Sequence, residues 1–141
     1  MVQVFVMETD KTSSCIYNIN YHIVFCPKYR KSVLTGQVKQ FLKNCFETIA
    51  ETKEWKILEL QIMPDHIHLF ISPKPYDSPT GIVKILKGVS GLQLFKKFPE
   101  LKQELWGGHI WSSSYYVGTA GKVSAETIQK YINGVRNSST A

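Results

Sequence analysis

Apolar and polar positions alternate from residue 15 to 26, with Tyr17, Ile19, Tyr21, Ile23 and Phe25 on one face and Asn18, Asn20 and His22 on the other. A period of two with one apolar face predicts a half-buried strand, which ends at Cys26-Pro27. From Thr35 to Glu54 the period changes. Val38, Phe41, Leu42, Cys45, Phe46, Ile49 and Ala50 recur at helical spacing, and Thr35 stands where an N-cap belongs. Such a stripe needs a sheet to cover. Alternation returns over Trp55 to Met63, with Leu58, Leu60 and Ile62 opposing Ile57, Glu59 and Gln61. Pro64-Asp65 then supplies turn chemistry before a second alternating run from His66, so the pair predicts a hairpin. Ser78-Pro79 reads as a cap and a first-turn proline. The helix it opens has a stripe through Ile82, Ile85, Leu86 and Val89 to Leu94, Phe95 and Phe98, with Gly88 and Gly91 as candidate bends. Ile110 to Val117 predicts a fourth strand, Gly118 and Gly121 bracket a flexible connection, and Ser124-Ala125-Glu126 opens a last helix with an acidic first turn.

The order strand, helix, strand, strand, helix, strand, helix predicts an α+β chain of the ferredoxin-like, RRM-like kind: a split βαββαβ antiparallel sheet with helices on one face, an open second face, and an added C-terminal helix. That arrangement carries many functions, so it assigns none. At 141 residues, with 43% hydrophobic and 20% charged positions, the chain reads as one globular domain. Residues 1–14 are expected to form an N-terminal extension, 124–136 the last helix, and 137–141 a flexible tail. Lys and Arg number 17 against 11 Asp and Glu, and this excess favours a polyanionic partner. Cys15, Cys26 and Cys45 are odd in number and unclustered, which argues against a disulfide framework and a zinc ribbon. The apolar start at Val2, Val4, Phe5 and Val6 is broken by Glu8, Asp10 and Lys11, and no run reaches transmembrane length. A cytoplasmic protein without membrane contact is expected, nucleoid-associated when bound to DNA.

Candidate chemistry centres on Pro64-Asp65-His66-Ile67-His68-Leu69. A strand's two-residue period points His66, His68 and Phe70 to one face and Ile67, Leu69 and Ile71 to the other. Two imidazoles so placed can hold a divalent cation, although such a pair is more often just the polar side of a half-buried strand. Tyr131 falls with Ile128, Ile132 and Val135 on one helical face, a pattern that suits a packing tyrosine. Chemically, a tyrosine that meets a histidine-held cation can attack a phosphodiester.

Five separated motifs in order resemble the single-tyrosine HUH transposases of small bacterial and archaeal insertion sequences. They are Tyr21-His22-Ile23-Val24-Phe25-Cys26-Pro27-Lys28-Tyr29-Arg30, the segment Pro64 to Leu69, Leu86-Lys87-Gly88 with Phe95-Lys96-Lys97-Phe98-Pro99, Leu105-Trp106-Gly107-Gly108-His109-Ile110-Trp111, and Tyr115-Tyr116-Val117-Gly118. The resemblance implies a metal-dependent enzyme that cuts single-stranded DNA and rejoins it. His66 and His68 would hold Mg2+ or Mn2+, and Tyr131 would be the nucleophile, leaving a 5′-phosphotyrosine. It also implies a homodimer that recognises hairpins near element ends and can complete each site with the partner's tyrosine helix. One departure stands out. Where the family often carries a glutamine ligand four residues after the tyrosine, this chain has Val135.

A two-residue turn at Pro64-Asp65 would set Gln61 opposite His68, close enough for its amide oxygen to replace that ligand, with Glu59 as the fallback. A longer loop would turn Gln61 away. Lys28, Arg30 and Lys31 form a basic turn, and Lys84, Lys87, Lys96 and Lys97 add charge along the second helix, where phosphates can be met. For any single lysine a solvated face is the commoner explanation. Tyr29, Trp106, Trp111, Tyr115 and Tyr116 are candidates for stacking on unpaired bases, or for packing. His22 and His109 are further polar candidates. The rival readings are a noncatalytic single-stranded nucleic-acid-binding module on the open sheet and a domesticated nuclease that processes host repeats. The aromatic-glycine-aromatic signature of the first is absent.

Overall fold

The structure, a computed structural model, describes residues 9–12, 14–105, 108–119 and 125–135. A small hairpin comes first, β1 (Asp10–Lys11) against β2 (Ile16–Tyr17), so part of the expected N-terminal extension is paired. The single strand expected over 15–26 is thus two pieces, and its second piece, β3 (Tyr21–Phe25), lies in the main sheet. A 3-10 turn at Lys28–Arg30 leads to α1 (Gly36–Lys53), bounded by an extended Thr35 and a left-handed Glu54 whose N–H caps the Ala50 and Glu51 carbonyls. β4 (Lys56–Met63) and β5 (His66–Ser72) follow, then α2 (Pro79–Lys97). Ser78 caps α2 as the sequence indicated, its hydroxyl accepting from the Gly81 N–H at 3.0 Å. The short α3 (Leu101–Leu105), β6 (Tyr116–Gly118) and α4 (Ala125–Gly134) complete the chain.

The four-stranded sheet has the order β4-β5-β3-β6 with every neighbour antiparallel, which is the split βαββαβ arrangement. Its inner face carries Ile23, Phe25, Ile67, Leu69 and Ile71, all fully buried against Leu42 and Phe46 of α1 and Ile82, Leu86 and Leu94 of α2. A second, smaller cluster seats α4: Ile132 and Val135 pack on Cys26, just past the end of β3, with Ile128 and Tyr131 beside them.

Three further expectations need correction. Even alternation along β4 fails because a bulge between Ile57 and Glu59 inserts one residue, so Ile57 pairs with Ile71 and Leu58 is pushed out to 41% exposure. The fourth strand is short: 110–115 does not form ladder, because Trp111 turns inward to donate its indole N–H to the buried Ser90 hydroxyl at 3.0 Å and to meet Phe25 edge-on. Only a single bridge, Trp111 to Pro27, links that segment to the sheet edge. The bends expected at Gly88 and Gly91 do not break α2, which is one helix of 19 residues. Trp106, Gly107, Gly121, Ser124, the apolar start and the 137–141 tail lie outside the described residues.

Candidate active site

The hairpin turn fixes the site's register. Pro64-Asp65 is a two-residue turn, so Met63 faces His66 and Gln61 faces His68 across the ladder. Gln61 gives its amide N–H to Glu59 at 3.1 Å, leaving the amide oxygen as its other polar end. On the other side of β5, Val24 of β3 pairs with His68 and His22 with Phe70. The outer sheet face around the histidines is covered, not open. His68 and His22 are 6% and 4% exposed, and their Nε2 and Nδ1 atoms are 2.9 Å apart. The His22 ring stacks on Phe70 at 4.1 Å between centroids. Burial, reinforced by His22, lowers the His68 pKa below the usual imidazole range and favours the neutral ring that metals bind.

His66 has a different neighbour. Its Nδ1 lies 2.8 Å from the Asp65 carboxylate, whose second oxygen is 3.4 Å from the Arg30 Nε. Arg30 in turn donates from Nη1 to the Ile132 carbonyl at 3.1 Å, in the tyrosine helix. Arg30 is therefore an internal tie rather than a side chain spread to solvent. Lys87 is turned inward as well. Its ammonium donates to the Ser112 and Ser114 carbonyls at 2.7 and 2.9 Å and sits over the Phe25 and Tyr115 rings. Burial brings its pKa down to about 8, with Cys26 acting the other way. By contrast Lys96 and Lys97 are exposed, and Lys28 lies beside the Tyr29 ring. Lys28, Lys84 and the exposed His109 line a groove of about 690 Å³ between α2 and the 108–113 segment, with Tyr29, Phe95 and Trp111.

Tyr131 rests at the edge of the small cluster on Cys26. Its hydroxyl is 2.9 Å from the Ser114 hydroxyl, on the strap that Lys87 holds. Burial pushes the phenol up to about 12, Ser114 opposing the shift and Cys26 adding to it. The Cys26 thiol is likewise pushed up to about 12, chiefly by burial, and is an inert packing group. Val135 is buried in the same cluster, as an apolar residue should be. Among the described residues no three His, Cys, Asp or Glu side chains cluster so as to hold a metal alone.

Sequence reasoning missed Asp65, Ser114 and the inward turn of Lys87. Asp65 carries two signals at once, turn former and neighbour of a candidate ligand, and the turn explanation absorbed it. Ser114 gave no signal, since its partner is 17 residues away.

The fold of this chain is shared with known transposases. The family model described as "Transposase IS200 like" matches residues 15–134. The ISDra2 transposase TnpA of Deinococcus radiodurans is 38% identical over 126 residues, 89% of this chain and 90% of the relative. The transposase of insertion sequence IS200 from Salmonella typhimurium is 37% identical over 116 residues, 82% of this chain and 76% of the relative. Among solved structures, a Deinococcus radiodurans protein solved as a candidate transposase superposes with a TM-score of 0.84 at 35% identity, covering 92% of this chain and 99% of that one. A REP-associated tyrosine transposase bound to a REP hairpin shares the fold, at a TM-score of 0.53 and 12% identity over 91% of this chain and 70% of that one. The chain belongs to the IS200-like transposase family, and is a DNA-processing enzyme of that class.

Proposed function

We propose that this protein cleaves and rejoins single-stranded DNA at insertion-sequence ends, with Tyr131 as the nucleophile and with His66 and His68 holding a divalent cation, Mg2+ or Mn2+. The observation that carries the reading is the series of polar links from Ile132, next to Tyr131, through Arg30 and Asp65 to His66, which joins the tyrosine helix to the histidine strand.

The donor set suits a loosely held cation. His66 has Nδ1 engaged by Asp65, which leaves Nε2 as its ligating nitrogen; His68 is held towards the neutral ring and, with its Nε2 2.9 Å from the His22 Nδ1, would ligate through Nδ1 or exchange His22 for the cation. Gln61, opposite His68, can add an amide oxygen where the family often uses a glutamine from the tyrosine helix. Two imidazoles and an amide leave positions for phosphate oxygens, as hard divalent cations at phosphoryl sites require. When bound, such a cation supplies charge neutralisation at the scissile phosphate. Tyr131 first leaves Ser114. Its oxygen then attacks phosphorus while the bond to the 3′ oxygen breaks; the phenol proton is lost and the 3′ oxygen gains one. The product is a 5′-phosphotyrosine and a free 3′-hydroxyl, and the reverse attack rejoins ends. The exposed Lys96 and Lys97, with Lys28, Lys31 and Lys84, offer phosphate contacts. A homodimer acting on hairpins near the element ends fits the family, and a hairpin is what the REP-associated transposase carries. No helix among the described residues is long and apolar enough to cross a membrane.

Mixed with single-stranded DNA of its element's end and Mn2+, the protein should form a denaturation-resistant adduct that Tyr131→Phe does not form. Gln61→Ala should raise the Mn2+ concentration needed. An adduct in Tyr131→Phe, or one mapped by mass spectrometry to Tyr115 or Tyr116, would refute the assignment.

A further inference from the structure

We infer that Asp65 and Arg30 are positioning residues that set the ring of His66 and couple it to the place of the tyrosine helix. The inference rests on His66 being a metal ligand, as proposed above. A carboxylate 2.8 Å from Nδ1 accepts that nitrogen's proton bond, so it selects the tautomer with Nδ1 protonated and Nε2 bare. Ligating histidines depend on such outer partners for orientation and basicity, and losing one typically weakens metal affinity about 10- to 100-fold.

Arg30 extends the arrangement. Its guanidinium reaches the second Asp65 oxygen through Nε and the Ile132 carbonyl through Nη1. Only a planar fork with several donors spans both acceptors. The groups are sheltered, with Arg30, Asp65 and His66 side chains 23%, 27% and 18% exposed, so solvent screens them less than a surface pair. The backbone is arranged for this reach. Tyr29 and Arg30 both hold left-handed φ values, 61° and 52°. Such residues are uncommon outside glycine and persist only where the surroundings over-determine them. Here the Lys28 N–H binds the Ile110 carbonyl and the Arg30 N–H binds the Pro27 carbonyl, pinning the turn at both ends. Displacing α4 therefore removes a partner from Arg30, and through Asp65 alters what holds His66.

The test uses full-length, metal-free protein without DNA. Nitrogen-15 shifts report the His66 tautomer, Mn2+ paramagnetic resonance reports affinity, and hydrogen exchange reports residues 125–135. In the native protein His66 should carry its proton on Nδ1. Asp65→Ala should lose that preference and bind Mn2+ about tenfold more weakly or worse. Asp65→Asn keeps the turn and an acceptor, so it should keep the tautomer while exchange in α4 quickens. Arg30→Ala and Arg30→Lys should both quicken exchange in α4 and weaken Mn2+ binding, since one ammonium cannot bridge the two acceptors. Native Mn2+ affinity in a folded Asp65→Ala, beside a loss in His66→Ala, overturns the inference alone. Undiminished binding in His66→Ala overturns the metal reading and the inference with it.

Discussion

At the scale of single residues the group proposed as nucleophile is a half-buried, hydrogen-bonded phenol. Tyr131 is held by Ser114 with its phenol pushed up to about 12, mainly by burial. A raised acid pKa means the neutral form dominates at working pH, so the phenolate fraction grows about tenfold for each unit of pH below that value. If the proton leaves before attack, single-turnover adduct formation should climb by about that factor per unit between pH 7 and 9. A flat profile would show that the proton leaves during or after attack. The places of His66 and His68 two residues apart on β5 and of Tyr131 on α4 were legible in the sequence, from strand parity and helical period. Their polar partners were not. A hydrogen bond between Ser114 and Tyr131, or between Arg30 and a backbone carbonyl 102 residues away, leaves no periodic trace.

Among the elements, the two long helices and the hairpin were readable because each combines an apolar period with end signals: Thr35, Ser78-Pro79 and Pro64-Asp65 mark boundaries the structure keeps within a residue or two. β4 was read in the wrong phase at its start, since a bulge changes parity without changing composition. The 110–115 segment misled because Trp111 is buried by a hydrogen bond to Ser90 rather than by sheet pairing. In α2, two glycines that look alike in sequence differ in setting. A β-carbon at Gly88 would meet nothing within 4 Å, whereas one at Gly91 would lie 3.2 Å from Ile110. Gly88→Ala should therefore stabilise the protein by about 0.5–1 kcal/mol through helix propensity. Gly91→Ala should lose that gain or reverse it, because Ile110 and Trp111 must shift. Urea unfolding of the two variants checks this, and equal gains would show that the 110–111 segment yields freely.

For the molecule as a whole, a net charge of +6 makes DNA affinity fall with salt, but the lysines divide into two groups. Lys96→Ala with Lys97→Ala should flatten the salt dependence of single-strand binding, by about one in log-log slope for each phosphate no longer neutralised. Lys87→Ala should leave the slope unchanged, since its ammonium is already engaged by the Ser112 and Ser114 carbonyls. An equal change in both, read by fluorescence anisotropy across a salt series, would mean Lys87 swings out to meet phosphate. The left-handed pair at Tyr29 and Arg30 has a different consequence, for directed evolution. Glycine or asparagine relieves such a backbone, so selection for heat tolerance alone would drift towards them at 29 and 30. At position 30 that drift discards the guanidinium, and a library screened only for thermostability would enrich variants that have lost its links to Asp65 and the Ile132 carbonyl.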